Sequence, residues 1–234
     1  MAITLRGTKS NSGHVTGVPD IEKILLVRDA SPDVLEVIDV SGTNPTLSGS
    51  YNFTGTLDVQ NAVVYGNMAY VCDNNAASSK LWAFDISDVD NCNVTLSGSI
   101  GVDDNPTPYT YVTDGTYMYI CTYNTYSGPR VIQVWNITDP TNMTRTGSSP
   151  ANNIISGATR MMFHPVDNDY LVVAKNNTGL ICNVSTPASP TNDYTWSASL
   201  FTQWSYVWFD TSYNATTGSG YLYASYYEDG GYPG

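Results

Sequence analysis

Charged side chains are scarce in this sequence: they make up 13% of its 234 residues, where a typical soluble domain has about a quarter. Loops and outer faces must therefore be covered by Ser, Thr, Asn and Gly rather than by Lys and Glu. Positive charge is scarcer still. Nine Lys and Arg against 21 Asp and Glu leave a net charge of -12. The nine stand singly along the chain, as Arg6, Lys9, Lys23, Arg28, Lys80, Arg130, Arg145, Arg160 and Lys175. Nucleic-acid binding needs clustered Lys and Arg, so no nucleic acid is expected as a partner, and anionic membrane surfaces are disfavoured on the same ground. The acidity reads as solubility through self-repulsion.

Long apolar runs are also missing. None approaches the roughly 20 residues of a membrane span, so no membrane insertion is expected. The N-terminus, Met1 to Ser10, lacks the apolar core of a secretory signal. Work outside a cell would then require release by lysis, a signal already removed, or another route. Histidine is limited to His14 and His164, with no His-x-x-His, His-Glu pair or Cys/His cluster for metal or acid–base work. The four cysteines, Cys72, Cys92, Cys121 and Cys182, form no Cys-x-x-Cys pair. They read as small buried strand residues, with a Cys72–Cys92 bridge left open. Gly-x-Ser-x-Gly, phosphate-loop and dinucleotide signatures are absent too.

These absences lead to an expectation of no catalytic residues, no cofactor and no metal. Asp88-Val-Asp-Asn91 and Asp103-Asp-Asn105 offer oxygens, but without the Gly and distal Glu of a calcium loop they read as polar turns. The Asn-x-Ser/Thr sequons, such as those at Asn136 and Asn183, read as composition rather than glycosylation.

What the chain has in abundance is repetition. Four segments share the pattern apolar-apolar-Asp/Asn-apolar-Ser/Thr: Val37–Ser41, Ala83–Ser87, Val134–Thr138 and Ile181–Ser185. Their central residues, Asp39, Asp85, Asn136 and Asn183, are spaced 46, 51 and 47 apart. Downstream, Leu47-Ser-Gly-Ser50 recurs as Leu96-Ser-Gly-Ser99, echoed by Thr146-Gly-Ser148. Upstream lies a recurring hairpin, in which Ala62–Tyr65 turns at Gly66-Asn67 into Met68–Cys72 and Tyr109–Val112 turns at Asp114-Gly115 into Tyr117–Cys121. Gly in such turns supplies the positive φ that two-residue hairpins require. About four short strands in 45–50 residues is the period of a propeller blade. The expected fold is therefore all-β, a β-propeller of four-stranded blades, about five in number with the last incomplete. A sandwich gives no reason for the fixed period, and a β-helix would show shorter rungs.

The expected organisation is an N-terminal lead or attachment segment over 1–20 and a propeller over 21–234, in units of about 21–58, 59–106, 107–156, 157–201 and a partial 202–234. Unit one lacks a clear first strand. Closing a ring from four and a half units leaves three options: the segment near Thr4–Val18 completes a blade, the edges pair with another subunit, or more chain follows, as the ending Tyr226–Gly234 favours.

Two resemblances carry the reading further. Gly66-Asn-Met-Ala-Tyr-Val-Cys72 followed by Leu81-Trp-Ala-Phe-Asp-Ile-Ser87 resembles the LVIVD repeat, "G-x-x-A-Y-V-A … L-x-V-x-D-V-S-D-P", over about residues 24–224. Asn136-Ile-Thr-Asp-Pro140 matches its ending most closely, whereas Asn replaces Asp at 136 and 183 and the Asp-Pro ending is lost in the other units. That resemblance implies a binding or structural propeller without shared catalytic residues. The opening Ala2-Ile-Thr-Leu-Arg-Gly-Thr-Lys9 resembles the lead of marine phage tail-fibre and appendage proteins, departing from it at Ser10. It implies a virion protein whose lead docks to the particle. The alternative is a secreted or cell-surface LVIVD adhesin or filament subunit. The expected partners are proteins of an assembly, with the chain in an oligomer, and a host-surface carbohydrate. The candidate contact face is aromatic: Tyr109, Tyr123, Tyr126 with Arg130, Trp204, Tyr226 and Tyr227, on connections that emerge at one end of the blades.

Overall fold

A computed structural model describes residues 2–7, 21–28, 34–39, 44, 46–53, 62–73, 79–87, 94–102, 106–122, 130–155, 160–163, 167–175, 178–197, 204–209 and 222–226. Its regular elements are all strands. The first sheet is β1 (Ala2–Gly7), β2 (Ile21–Arg28), β3 (Val34–Asp39) and β4 (Thr46–Asn52). The second is β5 (Val63–Tyr65), β6 (Met68–Cys72), β7 (Lys80–Asp85) and β8 (Thr95–Gly101). A third holds β9 (Pro106–Thr113), β10 (Tyr117–Thr122), β11 (Ile132–Asn136) and β12 (Thr144–Ser148). The fourth holds β13 (Arg160–Phe163), β14 (Tyr170–Lys175), β15 (Thr178–Asn183) and β16 (Thr191–Ser197), and a two-stranded sheet pairs β17 (Trp204–Phe209) with β18 (Leu222–Tyr226). Each four-stranded sheet is an antiparallel meander whose strands pair in sequence order, the form of a propeller blade.

The first sheet differs from the expected organisation. Ala2–Gly7 pairs antiparallel with Ile21–Arg28, Ile3 opposite Leu26 and Leu5 opposite Ile24. The boundary expected at residue 20 therefore falls inside the first blade, and the strand that unit one lacked is the N-terminal segment itself. The physical reason is that the apolar alternation here is only Ile3 and Leu5, too short to stand out as a strand before its partner is known.

The chain divides into two compact units, Met1–Val102 with Pro140–Asn142, and Asp103–Asp139 with Met143–Gly234. In unit 1 the first two sheets pack face to face through Leu35, Val37 and Phe53 against Ala69, Val71, Trp82 and Phe84. Phe53 meets Trp82 and Phe84 edge to face at centroid distances of 5.8 and 5.6 Å. In unit 2 the third and fourth sheets pack through Tyr119, Cys121, Ile132 and Val134 against Met161, Leu171, Val173, Leu180 and Cys182. The middle strands are buried on both faces: Met118 through Thr122 are all buried, and so are Leu171 through Ala174. These runs are almost wholly apolar because neither side of the strand meets water, and the hydroxyl of Thr122 donates to the Val131 carbonyl. Outer strands β8 and β12 are exposed or half-buried, and they carry the Ser, Thr and Gly.

The repeated pentapeptide is a turn with a specific construction. Asp85 Oδ1 accepts the Ser87 backbone N–H at 2.7 Å. Asn136 Oδ1 accepts the Thr138 N–H at 3.0 Å and the Thr138 hydroxyl at 2.7 Å, and Asn183 treats Ser185 identically at 3.0 and 2.7 Å. The apolar residue between them is buried: Ile86, Ile137 and Val184 each donate a backbone N–H to the hairpin tip of the same blade, at Asn67, Thr116 and Asp169. The motif thus ends the third strand and ties it to the first hairpin. At the hairpin tips Gly66 (φ 57°) and Gly115 (φ 96°) hold the expected positive φ.

Candidate functional site

The expected contact residues fall on different parts of the structure. Tyr109 lies in β9, and Trp204 and Tyr226 stand opposite one another in β17 and β18. Tyr123, Tyr126 and Tyr227 lie outside the described residues, as do Cys92, both histidines and the two Asp-rich turns. Arg130 is described, and the structure gives it a setting that no motif announces.

Arg130 precedes β11, at the end where β10 hands over to β11. Its backbone carbonyl accepts the Asn152 N–H at 2.9 Å, which draws the segment after β12 alongside it. That segment is a fixed turn. Asn152 Oδ1 accepts the Ile154 N–H at 2.9 Å, and Asn152 O accepts the Ile155 N–H at 3.1 Å. Ile155 is fully buried in the core of unit 2 and plugs the turn into it. From the fourth sheet, Asn192 Nδ2 donates to Pro150 O at 3.0 Å. The turn holds Asn153 out to solvent.

Two cations converge on this exposed asparagine. Arg130 Nη1 donates to Asn153 Oδ1 at 2.8 Å, and Lys175 Nζ donates to Asn153 O at 3.1 Å. Lys175 ends β14, where its own carbonyl accepts the Thr178 hydroxyl at 2.9 Å. A third basic residue, Arg160, begins β13 opposite Ala174, the neighbour of Lys175. Among the described residues neither Arg130 nor Lys175 has a carboxylate partner. Sequence reasoning singled out Arg130 alone. Asn153 and Lys175 are 23 and 22 residues away from the partners they bond, so only the packing of adjacent sheets brings the three together.

The buried thiols and the Tyr119 phenol are held neutral. Burial raises the thiol pKa of Cys121 far above its ordinary value, with the nearby Cys182 adding to the effect. Burial likewise pushes Cys182 up to about 12. Cys121 Sγ lies 3.8 Å from Met161 Sδ, an apolar sulfur contact. Cys72 is raised by burial and by the charge of Asp73. Burial is also the main cause of the raised Tyr119 phenol, whose hydroxyl reaches Asp114 Oδ2 at 3.4 Å. A thiol kept protonated is neither nucleophile nor good metal ligand. Among the described residues no three His, Cys, Asp or Glu side chains are grouped to hold a metal ion, and no helix is long and apolar enough to cross a membrane.

No protein-family model matches the chain, and no curated protein matches it in sequence. Solved structures match it in fold. A protein from Lactobacillus plantarum superposes with a TM-score of 0.65 at 10% identity, covering 87% of this chain and 67% of its own. A functionally unknown protein from Desulfotomaculum acetoxidans gives 0.60 at 12%, covering 88% and 66%. A candidate 6-phosphogluconolactonase from Bacteroides fragilis gives 0.61 at 13%, covering 79% and 54%. The chain thus spans between about half and two thirds of the length of these structures. Identity this low carries the architecture alone, and with the meandering four-stranded sheets it establishes an all-β, propeller-type fold.

Proposed function

We propose that the chain is a non-catalytic interaction scaffold, a structural part of a phage particle such as a tail fibre, appendage or decoration. One observation carries this reading: the described thiols and the Tyr119 phenol are buried and held neutral, whereas exposed polar groups lie on the outer strands and on turns fixed to the sheets. That division suits a surface which binds and does not react. The resemblance of Ala2–Lys9 to the lead of marine phage appendage proteins supports the particle as the setting. Since Ala2–Gly7 is a strand of the first sheet, attachment through this segment involves the first blade itself and not a detached tether.

Particles assembled without the chain test this function. They are expected to lose an appendage or to adsorb poorly to host cells, with recovery when the chain is supplied in trans. Particles unchanged in form and adsorption would contradict the proposal. A lactone assay provides the second arm, because two of the matched structures are candidate 6-phosphogluconolactonases. No acceleration over the spontaneous hydrolysis of 6-phosphogluconolactone is expected, and saturable turnover would overturn the non-catalytic reading.

A further inference from the structure

We propose that Arg130 and Lys175, gathered about Asn153, form a binding site for an acidic sugar, one that carries a carboxylate or a phosphate. The site holds whether or not the chain is carried on a particle, because it stands on the geometry of unit 2 alone.

Cations are rare here, nine against 21 acidic residues. A lone cation on such a protein would ordinarily find a carboxylate. Among the described residues these two instead share one neutral residue, bonding the two polar ends of Asn153 at 2.8 and 3.1 Å. The two cations thus meet the same residue, and among the described residues neither has a carboxylate partner. Among the described residues the Arg130 guanidinium bonds Asn153 alone, through one N–H, and a planar fork of this kind takes a carboxylate or phosphate two-pronged. Lys175 uses one of its three N–H donors on Asn153 O. Since Asn153 Oδ1 is turned to Arg130, its Nδ2 adds a neutral donor.

The support is preorganised. The turn is held by the buried Ile155, by the Asn152 side chain and by Asn192 on the neighbouring sheet, so little ordering is left to be done on binding. A sugar is favoured over a bare ion because Asn153 Nδ2, on the exposed residue that both cations bond, is a neutral donor suited to a hydroxyl. The chain's net charge of -12 repels anions at long range, so binding must be local, weak and sensitive to salt.

Titration of the full chain with glucuronate, glucose 1-phosphate, glucose and inorganic phosphate, followed by calorimetry or amide chemical shifts, tests the site. The expected result is saturable binding of one or both acidic sugars and none of glucose. The stronger of the two then identifies carboxylate or phosphate as the preferred group. Arg130→Gln and Lys175→Gln should each weaken binding at least tenfold with unchanged thermal unfolding. Arg145→Gln, which removes an exposed cation of β12, should leave it unchanged. The proposal is overturned if neither acidic sugar saturates, or if the Arg130 and Lys175 variants bind as the parent does. Inorganic phosphate bound as tightly as glucose 1-phosphate would overturn the assignment of a sugar.

Discussion

At the scale of single residues, the repeated Asp/Asn is a turn-former whose charge is incidental. Asp85 and Asn136 accept the same bond from the residue two further on, at 2.7 and 3.0 Å. The bonds from the Ser87 side chain and backbone lower the Asp85 pKa. With the folded value below the unfolded one, the stabilisation is present above the ordinary carboxylate range and is lost as pH falls through the folded value. Asp85→Asn should therefore match the parent in stability at neutral pH and lose less on acidification, as followed by urea unfolding between pH 7 and 3. Removing the acceptor altogether, as in Asn136→Ala, should cost about 1 kcal/mol in the same measurement. The buried thiols give a second prediction at this scale. Cys121 and Cys182 should stay unmodified by a thiol reagent for as long as the protein is folded, and react at once in denaturant. Reaction in native protein, read by mass, would contradict their burial. The motif was legible in the sequence as a repeat, but its reason was not, since the turn bonds depend on side-chain direction that spacing does not encode.

At the scale of elements, each outer strand carries a bulge at the same place. The register shifts between Val37 and Ile38, Ala83 and Phe84, Val134 and Trp135, and Ile181 and Cys182 of the third strands. Directly opposite the first residue of each pair stand Gly49, Gly98, Gly147 and Tyr194. A turn from elsewhere in the chain lies on two of these glycines. A Cβ on Gly98 would strike Pro140 O and come 3.1 Å from Thr141 Cα, and one on Gly147 would strike Ala188 O and come 2.6 Å from Pro187 O. Gly98 of the second Leu-Ser-Gly-Ser and Gly147 of its Thr-Gly-Ser echo are thus notches for backbone. Gly98→Ala and Gly147→Ala should each lower stability by about 2 kcal/mol, since backbone cannot move aside as a side chain can. Gly101→Ala should be neutral, because its Cβ would meet nothing within 4 Å; thermal unfolding of the three variants checks the contrast. Tyr194 departs from the glycine series, and the residue is 57% exposed. Hairpins were easier to read than notches, because Gly66-Asn67 and Asp114-Gly115 are local signals, whereas a notch is defined by a partner some 40 residues away.

At the scale of the whole molecule, a fixed period near 48 was enough to indicate a propeller-type fold, and the four-stranded sheets follow it. The first strand was not legible as part of a blade. Ala2–Gly7 is separated from its partner β2 by residues 8–20, whose Gly and Ser composition reads as a lead. The candidate site was legible in one residue of three: Arg130 could be named, whereas Asn153 and Lys175 reach it only through packing. What unifies these observations is the contrast between buried apolar strands and polar turns fixed on them by hydrogen bonds. The proposal that this is a component of a phage particle, rather than an enzyme or a host-envelope protein, is checked by quantitative mass spectrometry of density-gradient-purified particles. The chain should be present in constant ratio to the major structural protein across the particle peak. Its absence from that peak, with recovery in the host envelope or the soluble fraction, would contradict the account.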